Sequence, residues 1–262
     1  MATVDNMTQF IDTHCHLYLE EFREDIQGVV SRARDKGVSE FFMPNVDSAT
    51  ISAMLQLEND YQPFVHAMMG LHPCSVKATW QDELNLVEQW LGKRKFRGLG
   101  EVGLDYYWDR SFDNEQKLVF GKQAEWAREL DIPLIIHSRD SIDDCLELVR
   151  NYQDGRLKGI FHCFTGTVDA ARAAIGLGFY LGIGGVVTYK NGGLDKVLDK
   201  VGLDNLVLET DAPYLSPVPF RGKRNESSYL PLIAEKIATI VGVGVDEVAR
   251  VTTANAHLIF NA

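Results

Sequence analysis

Eight short apolar runs recur along the chain, each followed by a stretch patterned as an amphipathic helix or a loop, and this alternation restricts the possible folds most. The runs fall at 10–17, 40–46, 64–70, 97–103, 133–138, 159–164, 179–184 and 206–210. Helical periodicity occupies 20–36, 48–60, 81–92, 114–130, 141–152 and 168–177, and two further helices, 229–241 and 245–260, close the chain. Runs that are apolar on both faces suit parallel strands covered on both sides. Eight such units at intervals of roughly 20 to 35 residues fit a closed (β/α)8 barrel. The expectation is therefore one α/β domain over 1–262, a single TIM barrel. An open doubly wound sheet is the alternative. It ranks lower because it would not gather the first, fourth, fifth, sixth and eighth strands around one point.

The length of 262 residues agrees with a barrel of about 250. No apolar run approaches the roughly 20 residues that span a bilayer, so no membrane segment is expected. Residues 1–9 lack both a basic region and an apolar core, which argues for a frayed leader and against a secretory signal. Cys15, Cys74, Cys145 and Cys163 form no C-x-x-C pair and read as reduced thiols of a cytoplasmic enzyme. The net charge of −11 disfavours loose electrostatic wrapping of nucleic acid. It leaves room for a nucleic-acid enzyme, because two bound dications would reverse the field locally.

The strongest local signal is Asp12-Thr13-His14-Cys15-His16 on the first run. Side chains alternate along a strand, so His14 and His16 share a face and can reach one metal. Alone, the pair is equally explained as two satisfied polar residues at a strand end. The context decides. Glu101, His137, His162 and Asp211 each stand at or near the C-terminal end of an expected strand. In a barrel those ends meet at the top face, where the chemistry of this fold resides. Four histidines and two carboxylates at one rim call for cations. Six ligands exceed what one zinc takes and suit two divalent metals bridged by a carboxylate. The expected bridge is Glu101, with His14, His16 and Asp211 on one metal and His137 and His162 on the other.

Two such metals can activate a shared water and clamp the oxygens of a phosphodiester. Asp211 could accept the nucleophile's proton. Glu209 and Asp12 read either as partners that orient a histidine or as buried polar residues of the barrel interior. Arg221, Lys223 and Arg224 place three cations in the long loop 212–228 after the last strand, where they could hold phosphate; a solvated basic loop explains them too. His72, just past the third strand, could touch substrate or order a turn. His66 and His257 read as structural. Lys93 to Arg97, although denser in charge, precedes the fourth strand and belongs on the opposite face. The aromatics of Asp105-Tyr106-Tyr107-Trp108 could stack bases or pack the loop. Gly182, Gly184 and Gly185 could admit substrate or allow tight packing.

These residues stand in motifs that resemble the TatD family of metal-dependent deoxyribonucleases, within the amidohydrolase-like barrels. The resemblance runs over nearly the whole chain. It rests on Asp12–His16, Gly70-Leu71-His72-Pro73, Gly100–Asp105, Pro133–Arg139, His162-Cys163-Phe164-Thr165-Gly166, Glu209–Pro213 and Arg221–Asn225, in that order. It implies a two-metal site on the barrel and hydrolysis of DNA, often as an exonuclease, with single strands or unpaired ends as expected partners. All six ligand positions, His14, His16, Glu101, His137, His162 and Asp211, match. Magnesium, manganese and zinc remain open, the histidines being comfortable for zinc or manganese. A related amidohydrolase acting on an amide or lactone is the competing enzyme reading. Many such sites bridge the metals through a modified lysine at the end of strand four, where this chain has Glu101. A non-catalytic nucleic-acid-binding barrel fits poorly with the acidic charge and full ligand set.

Overall fold

The fold is described by a computed structural model for residues 8–260. Apart from Thr8 and Gln9, the leader considered above lies outside these residues. All eight expected strands form: β1 (Phe10–Asp12), β2 (Val38–Pro44), β3 (Val65–Met68), β4 (Leu99–Asp105), β5 (Leu134–Arg139), β6 (Gly159–Phe161), β7 (Phe179–Ile183) and β8 (Leu206–Leu208). They pair in parallel as two runs, β1-β2-β3 and β4-β5-β6-β7-β8. Isolated bridges join the runs at both seams. Met69, just past β3, pairs with Leu99 of β4, and Cys15, past β1, with Ala212, past β8. Backbone bonds reinforce the second seam, from Thr13 N to Leu208 O at 3.0 Å and from Asp211 N to His14 O at 2.9 Å. The strands thus close into a (β/α)8 barrel.

The helices are α1 (Ile26–Asp35), α2 (Ile51–Asp60), α3 (Trp80–Lys93), α4 (Asp113–Glu129), α5 (Ile142–Tyr152), α6 (Val168–Gly176), α7 (Leu194–Val201), α8 (Leu230–Val241) and α9 (Val245–Phe260). Two differ from expectation. The single helix expected at 20–36 is a short 3-10 turn, Glu20–Phe22, followed by α1, with buried Phe22 anchoring the turn. The helix α7 was not expected from the sequence. It has only eight residues, between Gly193 and Gly202, whose φ values of 70° and 66° start and stop it abruptly. No single described helix is long and apolar enough to cross a membrane. All four cysteines are free.

Inward-facing positions set where the site sits. Ile11, Phe42, Met68, Ile135, Ile160 and Val207 form a floor inside the barrel, closed by Ala256, Ile259 and Phe260 of α9. Phe42 and Phe260 stack with ring centroids 3.8 Å apart. Two residues beyond Ile135, Ile160 and Val207 come His137, His162 and Glu209, on the same inward face and toward the C-terminal mouth. Lys93, Arg94, Lys95 and Arg97 border a cavity beside Pro133 and Phe260, at the N-terminal end, as expected.

Candidate metal centre

Glu101 lies at the middle of the mouth, almost fully buried, with each carboxylate oxygen serving a different set of histidines. Its Oε1 is 2.8 Å from His137 Nδ1 and 3.1 Å from His162 Nε2. Its Oε2 is 3.3 Å from His14 Nε2 and 3.6 Å from His16 Nε2. Asp211 Oδ1 adds contacts of 3.7 Å to His14 and 3.5 Å to His16. All six expected residues therefore meet. Three overlapping groups could each hold a metal ion: His14, His16 and Glu101; His14, His162 and Asp211; and His72, Glu101 and His137. The two histidine sets also touch directly, since the rings of His14 and His162 stack at 3.6 Å.

The outer hydrogen bonds indicate which nitrogen of each ring is bare. Tyr18 Oη donates to Pro44 O at 2.6 Å, so it accepts from His16 Nδ1 at 2.8 Å. That leaves the His16 Nε2 lone pair facing the carboxylates, only 3.2 Å from His14 Nε2. His137 is caught between two acids, with Nε2 3.0 Å from Asp105 Oδ2 and Nδ1 on Glu101. A neutral ring carries one proton and can donate to only one of them. His162 repeats the pattern: its Nδ1 lies 3.2 Å from Glu209 Oε1, an ion-pair distance without hydrogen-bond geometry. With the protons turned outward, bare nitrogens and Glu101 converge on common points, a donor set that fits divalent cations. His14 Nδ1 is buried without a partner.

The same contacts set the electrostatics. Burial pushes the Glu101 carboxyl up, but His72, His162 and His14 outweigh it and hold it well below its usual value. Burial likewise opposes ionisation of Asp211, and the His16 hydrogen bond with the charges of His162 and His14 turns the net shift downward. Burial lowers His14 and His72. For His162 burial acts downward, yet the Glu101 and Glu209 charges raise it well above its usual value.

The remaining expected residues divide. Glu209 sits behind His162 and also accepts from Cys163 N at 2.5 Å. Gly182 makes room for it, since a Cβ there would fall 2.1 Å from Glu209 Oε2; tight packing explains this glycine. Asp12 touches no imidazole ring. It accepts from Thr210 N at 3.0 Å and Thr210 Oγ1 at 2.6 Å, stitching the β8–β1 seam, and burial pushes its carboxyl up to about 7. His72 Nδ1 accepts from Cys74 N at 3.0 Å, so its proton lies on Nε2, 3.4 Å from Glu101 Oε1. Arg221 and Lys223 border the mouth cavity of about 920 Å³. Arg224 does not. Its guanidinium turns away to Asp25 Oδ2 at 2.7 Å and lies over the Phe22 ring, which corrects the expectation of a phosphate contact. His66 is structural, bonded to Glu40 at 2.7 Å.

Three features depart from the sequence reading. The strand β4 runs to Asp105, so Glu101 lies inside it and Asp105 occupies the strand end. Asp105, expected in the loop after the strand and given no role among the ligands, thereby joins His137. Asp211 stands three residues past β8, in the left-handed region at φ 57°. The loop after it is ordered by fully buried Asn225, whose Nδ2 donates to Thr210 O and Tyr214 O at 2.7 Å.

A closed α/β barrel whose mouth gathers four histidines and two carboxylates defines the class of metal-dependent hydrolases. A family model described as TatD related DNase matches residues 11–261, and the chain belongs to the TatD family. The metal-dependent hydrolase YabD of Bacillus subtilis is 38% identical over 250 residues, covering 95% of this chain and 98% of that one. The 3'-5' ssDNA/RNA exonuclease TatD of Pantoea ananatis is 29% identical over 255 residues, covering 95% and 98%. Among solved structures, the TatD homologue YjjV of Escherichia coli K12 superposes with a TM-score of 0.92 at 29% identity, covering 98% of this chain and 99% of that one.

Proposed function

We propose that this protein hydrolyses DNA phosphodiester bonds as an exonuclease, with two divalent metal ions at the barrel mouth. One observation carries the reading: the two oxygens of Glu101 face two different sets of imidazole nitrogens, as a carboxylate shared between two cations would. His14, His16 and Asp211 would hold one ion, and His137 and His162 the other. Divalent ions there would lower the pKa of a shared water and offset charge on the phosphate oxygens. The nitrogen-rich shell suits zinc or manganese better than magnesium.

The chain's own groups supply the rest. Asp211 is ionised near neutrality and borders the cavity, so its carboxylate accepts the proton of the attacking water. Tyr18 and Asp105 keep the ring protons of His16 and His137 outward, and the Glu209 carboxylate lies behind His162. His72 presents Nε2–H toward the reacting phosphate. Arg221 and Lys223 receive the flanking phosphate oxygens. The exonuclease name of the Pantoea relative supports a nucleic-acid substrate.

The test is to incubate metal-supplemented protein with end-labelled single-stranded DNA and follow the products. Stepwise release of mononucleotides is expected. Internal fragments would make it an endonuclease. No cleavage, with turnover of a cyclic amide assayed in parallel, would favour the amidohydrolase reading.

A further inference from the structure

Nine large apolar side chains are exposed among the described residues, and five of them, Tyr107, Trp108, Tyr214, Leu215 and Val218, belong to two loops at the barrel mouth. Trp108 is 68% exposed and Tyr107 55%. Clustered exposure of this kind marks a binding surface. Beside the two aromatics stands Arg139, the last residue of β5, its guanidinium carbon 3.9 Å from the Tyr107 ring centroid and 5.5 Å from that of Trp108. The neighbouring Arg110 is neutralised by Asp113 at 2.7 Å. Arg139 has no such carboxylate partner among the described residues, and with Trp108 it borders the mouth cavity.

We propose that Trp108, Tyr107 and Arg139 form a stacking subsite for one unpaired nucleobase next to the bond that is cut. The proposal rests on the nuclease reading and names how that site recognises its substrate. An indole face and a guanidinium plane are surfaces on which any base can stack, and the guanidinium can also meet the adjoining phosphate. A base paired within a duplex keeps its faces covered by its neighbours, so this subsite selects unpaired strand.

The subsite is pre-ordered. Asp105 pairs in register with Arg139 across β4 and β5. Its Oδ1 accepts from Tyr107 N at 3.0 Å and Trp108 N at 3.1 Å, while its Oδ2 faces His137. One carboxylate therefore sets both the aromatic pair and a ring of the metal centre. On the far side, Lys77 holds Asp109 at 2.6 Å. Little ordering remains to be done when a base arrives.

The experiment is an abasic scan. Single-stranded phosphorothioate octathymidylates carry one abasic residue at each position in turn, and their binding to metal-loaded protein is read by fluorescence anisotropy. At one position near the end that is cut, removing the base should weaken wild-type binding about tenfold, within what one stacked base supplies. The same removal should weaken Trp108→Ala by less than twofold, and Trp108→Phe should recover most of the discrimination. A scan in which no position separates wild type from Trp108→Ala overturns the subsite, and an absence of binding counts as that outcome. Base-dependent binding through Trp108 without any release of nucleotides from ordinary DNA would instead retire the nuclease reading and leave the subsite standing. Trp108 is exposed, so its replacement should not disturb folding; a thermal melt of each variant checks this.

Discussion

At the N-terminal end of the barrel, Ile135, Ile160 and Val207 pack against Phe42 and Phe260. Two residues further along the same three segments, His137, His162 and Glu209 belong to the polar cluster around Glu101. One register thus yields an apolar plug at one end and a cluster of titratable groups at the other. The floor needs only shape, because apolar contacts are non-directional. The mouth needs partners for every polar atom, because a buried charge without one is costly. The floor should therefore govern stability, and the mouth metal affinity and turnover.

The largest effect that could break this division is at Asp211. Asp211→Asn should reduce hydrolysis of a labelled oligonucleotide by about 10²–10⁴-fold, as expected for loss of a proton acceptor. Its thermal unfolding should stay near wild type. Unchanged hydrolysis would remove Asp211 from the mechanism. At the other end, Phe260→Ala should cost about 3 kcal/mol by taking away the ring stacked on Phe42. Denaturant titration reads that loss. Metal content per folded molecule should not change, and a fall in it would show that the two ends are coupled.

A third change probes the reach of the mouth. Asp105→Asn keeps the shape but weakens the hold on His137, whose proton it shares at 3.0 Å. Such outer partners are typically worth about 10–100-fold in metal affinity. Chelator competition should show a loss of that size for one class of ion only. Equal weakening of both classes would argue against separate sets of ligands on the two oxygens of Glu101.

The eight strands and the six central residues were legible because both follow from local pattern. Apolar runs announce strands, and the His14–His16 pair and the strand-end acids and histidines stand beside them. What escaped depends on distance or on small shifts. Asp105 was hidden because β4 extends two residues beyond its apolar run, to a charged residue that a neighbouring histidine satisfies. Arg224 looked like a phosphate ligand because its partner, Asp25, lies 199 residues away in sequence. The stacking of His14 on His162 depends on barrel closure, which no local pattern encodes. The helix α7 escaped although Leu194, Val197, Leu198 and Val201 stand at helical spacing, because its eight residues fall below the length at which a periodic run is read as a helix.

The last prediction concerns what carries the loop of Arg221 and Lys223 at the mouth, and its effect is the smallest. The loop ends in Glu226, whose carboxylate is held by Arg32 at 2.7 Å and by Ser228. Burial pushes Glu226 up, but the bonds from Arg32 and Ser228 and the charges of Arg32 and Arg224 outweigh it, so the net shift is below the usual 4.5. A carboxyl bound more weakly by protons when folded adds stability above pH 4.5. That contribution fades as the pH falls through the folded value. Arg32 is nearly half exposed, so water screens the pair and its worth is about 1 kcal/mol. Glu226→Gln should lose that amount near neutrality and differ less from wild type below pH 4, as read by denaturant midpoints across the range. A gap of constant size at all pH values would mean that Glu226 acts through shape and not charge. The mouth would then resemble the floor at this point, and the division between the two ends would be weaker than the register suggests.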